Sequence, residues 1–295
     1  LVEALKYPDR KISFSAAAVL VKIGPVAKDA LPALIGLLKH PDEEVRYAAA
    51  WALRGIGPAA EDAVPALIEA LKDLNVREAA AQTLGKIGPA AKEAVPALIE
   101  ALKDPIRIGR EAAATALGGI GSEAKEAVPA LIEALKDPDW NVREAAAEAL
   151  GRIGLPAKDV VSALIASLND PDADVCEAAA DALERIGPTT IPALIEALKD
   201  TRLCIRIVTI LREIGPAAKD AVHVLTDLLK DQTADVREAA SRALEKIGVA
   251  AKDAVPALIE ALSDPDANVR EAAARALGGI GPDAKNAVPA LIEAL

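Results

Sequence analysis

One dipeptide sets the frame of this chain. Ile-Gly recurs with isoleucine at 23, 56, 87, 120, 153, 186, 214, 247 and 280, at spacings of 33, 31, 33, 33, 33, 28, 33 and 33. Two further pairs, at Ile35 and Ile108, fall outside that frame. A fixed period near 33 residues means that one supersecondary unit is copied along the chain, and no copy is long enough to bury a core alone. Proline keeps the same frame. Of 20 prolines, 19 follow Ile-Gly, open the Ala-Leu-Ile segment, or follow Lys-Asp or its equivalent, while Pro156 is displaced by one.

The most regular unit, AVPALIEALKDPDWNVREAAAEALGRIG at 127–154, encodes two helices. In the first, around Pro129–Lys136, Leu131, Ile132 and Leu135 form a helical stripe. Pro138 ends it, because proline lacks an amide and clashes with the preceding turn. The second is expected to start at an Asn141 cap, with Glu144 closing a capping box. Asn75/Glu78, Asp174/Glu177, Asp235/Glu238 and Asn268/Glu271 repeat that pattern. Its buried face is expected to hold Val142, Ala146, Ala149, Leu150 and Ile153, and Gly154 supplies the left-handed residue that ends it. Stacked hairpins bury what one cannot, which predicts an all-α solenoid spanning residues 1–295 as a single array of about nine two-helix repeats. A core that grows in one dimension escapes the size at which globular cores divide, roughly 250–300 residues.

Composition then excludes whole classes. The 295 residues are 52% hydrophobic, too apolar for disorder. No apolar run approaches the ~20 residues of a membrane span. A net charge of -11 lacks the basic stripe that nucleic acid requires. Two cysteines make no disulfide scaffold. The chain starts at Leu1 without an initiator methionine and ends at Leu295 inside the same element, so a fragment of a longer array is expected.

The unit D-P-D-x-x-V-R-x-A-A-A-x-A-L-G-x-I-G, preceded by P-A-L-I-x-A-L-K, resembles the HEAT repeat, and specifically its short phycobilisome-lyase-like subclass. The resemblance covers the whole chain. It implies a curved superhelix with the second helices on a concave, partner-binding face. It also implies a ladder between units, from an Asp closing the first helix to an Arg opening the second. The matching positions are Asp73, Asp104, Asp137, Asp170, Asp200, Asp231 and Asp264, with Arg46, Arg77, Arg110, Arg143, Arg237 and Arg270.

Comparing the units with one another separates fold from function. The position of Glu148 varies most, reading Ala18, Trp51, Gln82, Thr115, Glu148, Asp181, Thr209, Arg242 and Arg275. Three residues on, it reads Val21, Arg54, Gly85, Gly118, Gly151, Glu184, Arg212, Glu245 and Gly278. These positions are neighbours on a helix surface. They predict a variable band with aromatic residues first, then Glu148, Asp181 and Glu184, then Arg242, Lys246 and Arg275. The aromatic residues are Tyr7, Phe14, Tyr47, Trp51 and Trp140. Phe14 and Tyr47 stand where most units have Glu, and Trp51 shares the face of Tyr47, four residues on. Aromatic clusters of this kind mark interfaces.

Cys176 and Cys204 both replace the ladder arginine and are expected to be reduced thiols, which fits a cytoplasmic, reducing compartment. His40 replaces a ladder Asp and His223 a helix-start proline; both are expected to be tolerated substitutions rather than metal ligands. Gly118-Gly119-Ile120-Gly121 and Gly278-Gly279-Ile280-Gly281 mimic phosphate loops but fall at helix C-termini, where the dipole repels anions. Most acids recur with the repeat, whereas catalysis needs an unusual pair.

The sequence therefore points to a non-catalytic scaffold for a protein or peptide, without cofactor or metal. A bilin-lyase-like enzyme holding a tetrapyrrole and a structural spacer are the competing readings. End-to-end self-association is expected from the apolar Leu1, Val2, Leu5, Leu291, Ile292 and Leu295. A local irregularity is expected at 187–215, where a joint and a turn are both short and where Asp170 and Asp200 lose their ladder partners.

Overall fold

The computed structural model describes residues 2–6 and 10–293, so Leu1, Tyr7 and Leu295 lie outside the described residues. Among those described, ten first helices and nine second helices alternate, with no strand. The chain divides into two compact units, Leu1–Leu155 and Pro156–Leu295. The division falls at the displaced Pro156, not within 187–215.

The repeat is built from its smallest residues. A second helix such as Glu43–Ile56 ends at an in-frame glycine, and a 3-10 turn, Gly57–Ala63, carries the chain to a seven-residue first helix, Val64–Ala70. Proline occupies the first turn of that helix, where no intrahelical amide is needed. The next second helix, Arg77–Ile87, follows a tight turn. The leucine of the Ala-Leu-Ile segment, which reads Val-Leu-Thr at 224–226, is fully buried in every complete unit: Leu34, Leu67, Leu98, Leu131, Leu164, Leu194, Leu225 and Leu258 are all 0% exposed. The expected face of the second helix is buried as well, through Val142, Ala146, Ala149, Leu150 and Ile153.

Glycine lets second helices touch. A Cβ added to Gly85 would lie 2.7 Å from the Ala116 Cα, and one added to Gly119 would lie 2.3 Å from the Gly85 carbonyl oxygen. No side chain fits at either contact.

The helix caps differ from expectation. The second helices begin at Glu43, Trp140, Ala173 and Ala267, and their caps are Asp42, Asp139, Asp172 and Asp266. Asp139 is extended, at φ -95° and ψ 126°, so its carboxylate accepts from the Asn141 amide at 3.0 Å. Asn141, Asp174 and Asn268 thus lie inside their helices. Asp235 lies inside Ala234–Ile247, which starts after Thr233 without a side-chain cap bond. Asn75 sits in a shortened turn before Val76. The Pro-Asp turn sets the extended residue two positions earlier than a capping box requires.

The ladder exists and runs forward by one unit. Arg110 Nε and Nη2 donate to Asp137 at 2.6 and 2.8 Å, while Nη1 donates to the Asp104 carbonyl at 2.9 Å. Arg237 repeats this with Asp264 at 2.7 and 2.8 Å and with the Asp231 carbonyl at 2.8 Å. Arg46 reaches Asp73 at 2.8 Å. One arginine therefore ties its own turn to the next unit.

The departures have physical reasons. Asp73 and Arg77 are four residues apart, where the regular turn has six, so Arg77 cannot reach its own turn carbonyls. It keeps the forward pair with Asp104, and its Nε is buried without a partner. Asp104 is 7% exposed because it fills space at Gly109, where other units carry Val, Ile12 or Leu203: a Cβ there would lie 2.7 Å from the Asp104 Cγ. His40 reproduces the aspartate's turn bond, its Nδ1 accepting from the Asp42 amide at 3.1 Å.

The cysteines are free and buried. Cys176 Sγ donates to the Asp170 carbonyl at 3.3 Å, the bond that Arg143 makes to Asp137. Because the ladder runs forward, the missing arginines belong to Asp200 and Asp231, not to Asp170 and Asp200 as the sequence implied. Asp200 recruits Arg202 of its own turn, at 3.0 and 2.7 Å.

Candidate functional site

The position of Glu148 is exposed or half-buried in every unit, whereas three residues on Gly118 and Gly151 are buried. Within the first unit, Thr115 and Glu148 are exposed, and Trp51 and Gln82 are half-buried. Within the second, Asp181, Arg242, Lys246 and Arg275 are exposed, and Glu184 is half-buried. The two stretches are distinct in chemistry.

In the first unit, Arg54 Nη1 donates to Gln82 Oε1 at 2.8 Å across neighbouring second helices, and Gln82 Nε2 donates to Glu78 at 3.1 Å. Arg54, Gln82, Lys86, Ile108, Thr115 and Arg152 line a cavity of about 280 Å³ floored by Gly85 and Gly119. Glu148 is held by Arg152, its neighbour at i+4, at 2.9 Å. The variable band thus contributes four lining residues, Arg54, Gln82, Gly85 and Thr115. Lys86, Ile108 and Arg152 were not singled out in the sequence. Lys86 and Arg152 share a repeat position with Gly55, Gly119 and Gly279, and only a comparison at that offset would have found them.

The aromatic residues form a second feature. Phe14 stacks on Tyr47, with ring centroids 5.5 Å apart at 28°, and lies 6.1 Å from Trp51. Phe14 is the hub, although the sequence had paired Tyr47 with Trp51. Phe14 and Tyr47 join Glu43, Glu44 and Asn75 around a cavity of about 300 Å³. Trp140 stands apart at a helix start, 38% exposed.

In the second unit, burial first, then the like charges of Asp181 and Glu213, push the Glu184 carboxyl above its ordinary range. The basic stretch is partly neutralised: Arg242 pairs with Glu238 at 2.5 Å and Arg275 with Glu271 at 2.7 Å. Burial, with the Asp231 charge, raises the Cys204 thiol above its usual value, which disfavours a reactive thiolate. Among the described residues, no group of three His, Cys, Asp or Glu could hold a metal ion, and no helix is long and apolar enough to cross a membrane.

A family model described as HEAT repeats matches residues 1–75, 31–118, 95–184, 128–206 and 223–295. Among solved structures, the crystal structure of an engineered protein from the Northeast Structural Genomics Consortium is similar at 28% identity and a TM-score of 0.55, over 99% of this chain and 90% of that one. Importin beta, crystallised in an ammonium sulfate condition, is similar in fold at 16% identity and a TM-score of 0.67. That match covers 99% of this chain and 48% of importin beta, so the chain spans about half of that protein's length. No curated protein matches.

Proposed function

The chain belongs to the HEAT-repeat family, and on that premise we propose that it is a non-catalytic scaffold which binds a protein or peptide along the exposed face of its second helices. The observation that carries this reading is the contrast between faces. Positions that pack, such as the leucine of Ala-Leu-Ile, repeat without change and are fully buried. Exposed positions on the second helices differ from unit to unit in size and charge. Packing explains the first set and not the second. The lining of the cavity between Arg54, Gln82, Thr115 and Arg152 supports the same reading, since it offers donors, acceptors and apolar floor on one face. Solenoids use such extended faces for binding.

The proposal extends to all of residues 1–295 acting as one array. Its test is a pull-down of the partner that co-purifies, using Asp181→Lys with Arg242→Glu. Both residues are exposed, so the fold should persist. Binding should weaken by tenfold or more. Unchanged binding, with loss instead on Glu133→Lys on a first helix, would refute it.

A further inference from the structure

Cysteine interrupts the ladder twice, and the two interruptions end differently. At Cys176 the chain closes the gap itself. Asp200, which lacks that arginine, takes Arg202 at 3.0 and 2.7 Å. Arg206 Nη1 also donates to the Leu168 carbonyl at 3.0 Å, and the Cys176 thiol reaches the same oxygen at 3.3 Å. At Cys204 no guanidinium takes the place of the missing one. Among the described residues, the Asp231 carboxylate accepts only the Thr233 amide, at 2.7 Å.

That amide does not exhaust the carboxylate. Asp137 and Asp264 accept the equivalent amide at 2.9 Å and still take two guanidinium bonds each. Neighbouring cations are engaged elsewhere. Arg237 gives Nε and Nη2 to Asp264 and Nη1 to the Asp231 main-chain carbonyl. Arg110 treats the Asp104 carbonyl in the same way, and the Asp104 carboxylate nevertheless pairs with Arg77. Lys230 pairs with Glu260 at 3.4 Å.

The same groove occurs in both units. In the first, Leu71, Arg77, Lys103 and Asp104 line a cavity of about 400 Å³. In the second, their counterparts Leu198, Cys204, Lys230 and Asp231 line one of about 560 Å³. Both turns are shortened alike, since Cys204 follows Asp200 as closely as Arg77 follows Asp73. Among these four pairs, only the change from arginine to cysteine alters the side chain. Cys204 is 4% exposed and lines the larger space, and among the described residues its thiol has no hydrogen-bond partner.

The lining selects its ligand. Asp231, with Asp227 on the rim, offers carboxylates to a planar, forked donor. Leu198, Leu228 and Val236 give an apolar wall for a methylene stem. Asp227 and Gln232 are exposed, so the groove is open. An open groove holds a lone small cation weakly, whereas a side chain anchored in a larger contact has its ordering cost met elsewhere. We infer that this cavity receives the guanidinium of an arginine carried by a bound protein segment, which completes the ladder from outside the chain. The groove lies at the turns and not on the second-helix face, so it stands or falls apart from the reading above.

The test is an NMR titration of the intact protein with N-acetyl-arginine amide and with N-acetyl-citrulline amide, its neutral isostere, at millimolar concentration. The arginine compound should give saturable shifts at the amides of 204, 231 and 233, and added salt should weaken them. The citrulline compound should give none. Asp231→Asn keeps an oxygen for the Thr233 amide and should lose affinity about fivefold or more. Cys204→Arg should fill the groove from within, as Arg77 does in its own short turn, and abolish the shifts. Circular dichroism verifies that both variants are folded. If Cys204→Arg fails to fold, Asp231→Asn and the citrulline comparison still decide. Equal shifts from both compounds, unchanged affinity in Asp231→Asn, or shifts that survive in folded Cys204→Arg would overturn the inference. Free L-arginine binding tenfold tighter than the blocked residue would assign the groove to a small molecule and overturn the protein partner.

Discussion

Gly121 and Gly154 hold the same repeat position and nearly the same φ, 70° and 68°, but their ψ values are -139° and 23°. The difference decides which residues each site tolerates. The first conformation is nearly exclusive to glycine, whereas the second is left-handed helical and open to asparagine. Neither site is crowded, since an added Cβ would meet nothing closer than 3.9 Å. Backbone strain alone therefore sets the outcome. Gly121→Asn should cost about 1–3 kcal/mol and Gly154→Asn less than about 1 kcal/mol, by chemical denaturation followed at the helical band. Equal losses would contradict the distinction. The frame of these glycines was legible in the sequence. The exception at Gly154 was signalled only by Pro156, because the displaced ring leaves Leu155 between glycine and proline and Ala157 extended.

Between elements, the ladder converts a sequence pattern into a pH response. A hydrogen bond from Arg237, opposed by burial and helped by the Asp266 amide, holds the Asp264 carboxyl below its usual range. Its folded value therefore lies below its unfolded value near 4. The stability it contributes is present above that pH and disappears as pH falls through the folded value. Asp264→Asn should lower the denaturation midpoint at neutral pH and flatten its decline between about pH 5 and pH 2. An equally steep decline in the variant would place the acid sensitivity elsewhere. The residues of the ladder were visible from the repeat, but its direction was not. Spacing alone gives Asp and Arg in alternation. Only the reach of a guanidinium across the packed first helix assigns Arg110 to Asp137 rather than to Asp104. The cap was misplaced for a related reason: Asn141 and Asp139 are both good caps, and the extended backbone at Asp139 chose between them.

For the whole molecule, the helical class, the repeat frame and the buried leucines follow from periodicity, because each unit meets only its neighbours and local pattern suffices. The candidate sites did not follow so directly. The Arg54–Gln82 bridge and the company Glu43 keeps with Phe14 both join residues about 30 positions apart, where pattern within a unit is silent. The same neighbour-only logic makes a further prediction. Deleting residues 88–120 joins Ile87 to Gly121 and restores the frame. Gly85 would then face Ala149 where it now faces Ala116, and Gly118 already packs on Ala149. The shortened protein should still unfold cooperatively with unchanged helicity per residue, at a reduced free energy; a molten or aggregated product would refute it. That leads from chemistry to heredity. Wherever two copies of this unit misalign during recombination, the crossover rebuilds an intact Ile-Gly junction. Ancestors and descendants of such a gene can therefore differ by whole units, so that the length of the array is inherited as a count.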